Sequence, residues 1–236
     1  MKDNKNYYLL KTIIIFVCYM FYSVIFDRIF SLFGLNNTII SMIIADIIFF
    51  IGIIYVYKDR LKNEFNYFKS KYSFKDKIWT IIKWVLIIFG INIIMGILTE
   101  LFYSNIAAGV DENAMAVTQL FDASFMYSLF KTLIFAPIAE ELLFKEAIRD
   151  VVKNNIAFIL ISSSIYTAMN FMYASTDILL LDLIKYFMFS VILSLAYIKN
   201  NDNIVVVIFI KFFYNLLLTL LLIINMIVGV SAWTIY

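Results

Sequence analysis

Several stretches of this chain run for about 18 or more residues with almost no charge, the length at which a helix crosses a hydrocarbon layer of roughly 30 Å. From Phe212 to Tyr236, for example, no side chain carries a charge. Backbone amides and carbonyls inside such a layer find no water, so each segment must satisfy them internally, as a helix does. The strict two-residue alternation of a membrane β-barrel is absent. The expected fold is all-α, a polytopic transmembrane bundle of seven or eight helices, with residues 1–236 forming a single membrane domain.

Composition narrows the function classes. With 64% hydrophobic residues, 15% charged residues and a mean hydropathy of +0.91, the chain is more apolar than a water-soluble domain of this size needs. Its net charge of +2 gives a nucleic-acid partner no electrostatic support. One cysteine, Cys18, and no histidine rule out an internal disulfide and any Cys/His zinc spacing, and no metal or other cofactor is expected. The N-terminal "MKDNKNYYLLKTIIIFVCYMFYSVIF" has the basic front and apolar middle of a signal peptide. It lacks a small-residue cleavage site and further spans follow, so it reads as a retained first helix.

The spans are expected at about 8–29, 37–57, 78–102, 123–152, 156–173 and 178–198, with a seventh from about 203. The fourth is one long or kinked helix, and the seventh either continues to about 231 or breaks near Asn225 to give an eighth segment. The loop "KDRLKNEFNYFKSKYSFKDK" after span 2 carries seven Lys/Arg against three acids, whereas the loop after span 3 is acidic and has neither Lys nor Arg. Lys2 and Lys5, that basic loop, the turn at Arg149 and Lys153, and the turn at Lys199 all fall on one side. The positive-inside rule makes that side cytoplasmic, for a multi-pass protein of the cell membrane with its N-terminus inside.

Charges at membrane depth cost roughly 2.5–3.5 kcal/mol each on insertion scales, so each needs a reason. Lys83 can snorkel from one end of its span. Asp182 and Lys185 are spaced to pair along one helix. Asp46 has no local partner and calls for a lysine on another helix. Glu140 and Glu141, just after the one proline, Pro137, lie about 13 residues from the turn that ends span 4, or roughly 20 Å deep. Asn170 on span 5 falls at nearly the same depth, and Lys211 and Asn215, one turn apart on span 7, lie roughly 12 and 18 Å in. These positions converge on one layer and form the candidate site. Structural readings stand beside it: Lys145 could neutralise Glu141 along their own helix, Asn170 could be interhelical glue, and the "SSS" at 162–164 favours close packing of span 5.

The segment "APIAEELLFKEAI" resembles the first motif of the CAAX prenyl protease and bacteriocin-processing (CPBP, or Abi) family of intramembrane proteases. That motif is two glutamates, three residues and an arginine, often preceded by a proline. "YTAMN", Tyr166 to Asn170, fits the second motif, an aromatic residue followed after three residues by histidine. "KFFYN", Lys211 to Asn215, fits the third, histidine followed after three residues by asparagine or aspartate. The resemblance covers about residues 123–220 and implies that family's helical core. It also implies a hydrolytic site in which glutamate and histidines hold and activate water, with or without a metal.

Only Glu140, Glu141 and Asn215 match outright. Lys145 stands for the arginine and loses its bidentate fork, while Asn170 and Lys211 replace the histidines. Asparagine takes no proton, and a charged lysine ligates no metal. The expectation is a degenerate site of Glu140, Glu141, Asn170, Lys211 and Asn215, with Lys211 paired to Glu140 in the place of water or metal. Such a pseudoenzyme would act as a scaffold or regulator of a membrane or cell-envelope partner, or in peptide processing or immunity. Two rivals remain. One is an active endopeptidase whose glutamates cleave membrane peptides or proteins, with the asparagines as oxyanion donors. The other is a small transporter with a polar path through Asp46, Lys131, Lys185 and the glutamates.

Overall fold

A computed structural model of the chain describes residues 4–34, 38–71, 73–103, 124–171 and 180–228. Among these residues the fold is an all-α bundle without strands. Helices α1 (Asn4–Leu32), α2 (Thr38–Lys71) and α3 (Phe74–Tyr103) are followed by α4, a continuous helix over 125–151. The bundle closes with α5 (Asn155–Phe171), α6 (Leu180–Lys199) and α7 (Ile204–Val228). Among the described residues, five segments are long and apolar enough to cross a membrane: Asn6–Leu32, Ile39–Lys71, Phe74–Phe102, Leu180–Lys199 and Ile204–Ile224. The outer faces are apolar as lipid contact requires, with Ile14, Phe21 and Ile25 of α1 turned outward. α7 runs unbroken through position 225. The acidic loop after span 3, the ends of spans 5 and 6 at 172–179, and any eighth segment beyond 228 lie outside the described residues.

α4 is the axis of the bundle and packs against α1, α2, α5 and α7. Leu142, Leu143, Phe144 and Ala147 are fully or almost fully buried, and Lys145 and Glu146 lie among them. Its backbone begins as an α-helix at Phe125–Leu129. It widens into i→i+5 hydrogen bonding over Phe130–Glu140 and Leu142–Ala147, and tightens again at Ile148–Val151. Pro137 lies inside the first wide stretch. A proline ring collides with the carbonyl four residues back and offers no N–H, and a wider turn is one way for a helix to continue past it. The expected long fourth span is therefore one helix with an altered pitch.

The basic segment expected as a loop is helical instead. α2 continues through Lys58–Lys71, so its 34 residues measure about 51 Å against a hydrocarbon layer of roughly 30 Å. Lysine, arginine and glutamate are good helix formers and no Gly or Pro interrupts them. Arg60 and Glu64 pair one turn apart at 2.8 Å. The extension also docks. Glu64 Oε2 accepts from the Ile204 amide at 2.6 Å, its carbonyl accepts from Asn203 Nδ2 at 3.0 Å, and Phe68 packs on Phe209.

The same end of the bundle holds both tight turns. Asn201 and Asp202 adopt left-handed backbone conformations, with φ of 61° and 55°, which these two residue types tolerate better than most. Asp202 then receives Arg149 from the last turn of α4 at 2.9 Å. Lys11 of α1 lies 3.6 Å from Asp150. The start of α1, the extension of α2 and both turns therefore share one face.

Candidate functional site

The Lys211 ammonium stands between the two glutamates, 2.8 Å from Glu140 Oε2 and 2.7 Å from Glu141 Oε1. α7 delivers the lysine, whose side chain is 3% exposed, and α4 delivers both carboxylates. Consecutive residues of an α-helix point about 100° apart, and a wider turn reduces that angle. Both glutamates can then address one cation. Tyr166 of α5 closes the site from a third helix, with its ring centroid 5.2 Å from Lys211 Nζ, within cation–π range. Glu141 is completely buried, whereas the Glu140 side chain keeps 21% of its surface. Glu140 is the carboxylate that anything entering the site would meet first.

The two asparagines turn elsewhere. Asn170 Nδ2 donates to the Tyr166 carbonyl at 2.8 Å, within its own helix. Asn215 Nδ2 crosses from α7 to donate to the Thr132 carbonyl of α4 at 2.8 Å. Among the described residues, neither hydrogen-bonds to a glutamate, so convergence on one layer brings Lys211 and the carboxylates into contact while each Nδ2 donates to a backbone carbonyl.

Lys145 makes no direct ion pair with Glu141 along the helix. Its Nζ donates to Ser162 Oγ of α5 at 2.9 Å and, on α6, to Ser190 Oγ at 2.7 Å and the Ser190 carbonyl at 3.2 Å. The Tyr166 ring lies 5.9 Å away. An ion pair along one helix face yields where neighbouring helices offer a fuller set of acceptors, and here two of them supply three oxygens. Of the small serines read as packing residues, Ser162 is a ligand of this ammonium and also donates to the Phe144 carbonyl at 2.7 Å.

Two further charged clusters frame the site. Asp46 receives Tyr22 Oη and Tyr127 Oη at 2.6 Å each and pairs with Lys131 at 3.0 Å, the lysine on another helix that its isolation called for. Toward the face with the turns, Arg60 reaches Glu64, Asp150 and the fully buried Glu146, whose other oxygen accepts from Tyr197 Oη at 2.8 Å. Glu146 and Arg60 were missed in the sequence. The arginine lies in what reads as a loop, and a glutamate six residues after Glu140 shows no partner locally.

The donor set does not suit a divalent metal. Both carboxylates already bind an ammonium, the amide at Asn170 is turned into its own helix, and no imidazole exists in the chain.

Residues 122–217 match the family model described as type II CAAX prenyl endopeptidase Rce1-like. The match contains Glu140, Glu141, Asn170, Lys211 and Asn215, and begins at the foot of α4. No curated protein and no solved structure matches the chain.

Proposed function

We propose, for a multi-pass membrane protein whose residues 122–217 match the Rce1-like CAAX prenyl endopeptidase family model, that the hydrolytic centre of that family has become a structural lock here and that the protein serves as a membrane scaffold or regulator. The family's chemistry is that of an intramembrane endopeptidase. The observation that carries the departure from it is the buried Lys211 ammonium bridging Glu140 and Glu141. A carboxylate bound to an ammonium is a poor base toward water, and a lysine held by two carboxylates has no free electron pair to offer. Neither asparagine can take up a proton, and each directs its Nδ2 to a backbone carbonyl.

The partner is a membrane protein or a membrane-embedded peptide, engaged through helix faces within the bilayer. The face that carries Lys11, the α2 extension and both turns is cytoplasmic in this reading, since it concentrates the lysines and arginines. Exposure of Glu140 favours the second reading, an endopeptidase that works through its glutamates, because that carboxylate alone of the pair remains approachable.

Comparing protein termini separates the two. Native membranes with the wild-type protein are compared with membranes holding Glu140→Gln, Glu141→Gln at matched abundance. The scaffold reading expects identical termini, with the partner recovered by co-purification. A membrane protein or peptide left uncleaved only in the variant would replace it with the protease reading.

A further inference from the structure

In a ladder of i→i+5 hydrogen bonds, the partner of the Thr132 carbonyl is the amide of residue 137. Residue 137 is the chain's single proline and has no N–H to give. A carbonyl left open among apolar helices is costly. It accepts instead from Asn215 Nδ2, 2.8 Å away on α7.

Side chains of other helices reach two more carbonyls of α4. The Ala147 carbonyl accepts from Thr12 Oγ1 of α1 at 2.9 Å. The Phe144 carbonyl accepts from Ser162 Oγ of α5. Three neighbouring helices thus each hold one carbonyl of the wide-turned segment.

Asn215 also lies one turn beyond Lys211 on α7, so a single helix face presents an amide to the backbone of α4 and an ammonium to its carboxylates. We propose that Asn215 is a positioning residue whose amide takes the place of the N–H that Pro137 lacks, fixing the register of α4 in which Glu140 and Glu141 share Lys211. It concerns the frame of the site and stands whether the glutamates hydrolyse a bond or only bind the ammonium. Its failure would therefore leave the functional proposal untouched.

The full-length protein is prepared in native membranes as wild type, Asn215→Leu, Pro137→Ala, and the combination of the two. Each is treated with dicyclohexylcarbodiimide, which attacks membrane carboxyl groups that no ammonium holds as carboxylates. Adducts at Glu140 and Glu141 are read by peptide mass spectrometry. Wild type and Pro137→Ala should label weakly, and Asn215→Leu several-fold more strongly. The combined variant should return to the wild-type level, because an alanine in place of Pro137 supplies the N–H that makes the side-chain amide on α7 dispensable. If Asn215→Leu fails to accumulate, the combined variant should restore its level in the membrane. Wild-type labelling in Asn215→Leu would overturn the proposal, and so would a combined variant that labels or fails to accumulate as the single one does.

Discussion

Arg60 Nη1 donates to Asp150 Oδ1 at 3.1 Å, joining the charged extension of α2 to the end of α4. The same guanidinium reaches Glu64 and the fully buried Glu146. Its planar fork holds more N–H donors than an ammonium, in fixed directions, and spreads them over these three acids.

Arg60→Ala should therefore destabilise the protein by about 3–5 kcal/mol, since it strands Glu146 in the core with Tyr197 as its remaining donor. Arg60→Lys should recover less than half of that loss. Thermal or denaturant unfolding in detergent checks both. An unchanged midpoint for Arg60→Ala would mean that the cluster does not hold the α2 extension in place.

How much of this was legible in the sequence depends on whether the partner could be located by counting along helices. Depth counted from a turn brings Lys211 near the glutamates, and they are in contact. Isolation of a charge at membrane depth predicts that Asp46 needs a distant lysine, and Lys131 is there. Counting fails where another helix offers something better. Lys145 sits one turn after Glu141, yet Ser162 and Ser190 cage it from α5 and α6, and no pattern within α4 encodes those oxygens. It fails again at Lys58–Lys71, where a charged stretch reads as solvent-facing loop. Its helix formers carry the helix onward, and docking against Ile204 and Phe209 holds the extension in place. The altered pitch of α4 has one visible sign, Pro137, and its remedy, Asn215, lies far along the chain.

The cage around Lys145 is sized for an ammonium. Its oxygens lie at 2.7–3.2 Å, and Ser162 and Ser190 are completely buried. Lys145→Arg should cost about 1–3 kcal/mol through overpacking, although arginine is the residue of the motif that the segment resembles. Unfolding midpoints decide it. An arginine variant as stable as wild type would show that the cage can expand.

Tyr22 and Tyr127 both donate to Asp46. Hydrogen bonds to a charged group contribute about 1.5–3 kcal/mol each. Tyr22→Phe and Tyr127→Phe should each lower stability by an amount in that range, and Lys131→Met should be more harmful than either because it removes the counter-charge. Equal stability of all three variants would mean that Asp46 needs none of these partners.

Sidedness can be read with single cysteines in a Cys18→Ser background. Lys62→Cys lies on the exposed side of the α2 extension. A membrane-impermeant maleimide should leave it unlabelled in intact cells and modify it after lysis. Labelling in intact cells would reverse the orientation proposed for the whole bundle.

The most direct test of the locked site is a comparison of stabilities. Lys211→Ala leaves Glu140 and Glu141 facing each other without their cation and should cost about 3–5 kcal/mol. Replacing the whole trio, as Lys211→Met with Glu140→Gln and Glu141→Gln, removes every charge together and should retain most of what the single variant loses. That order, with the single substitution worse than the triple, is what a buried structural ion cluster requires. A Lys211→Ala protein as stable as wild type would contradict it.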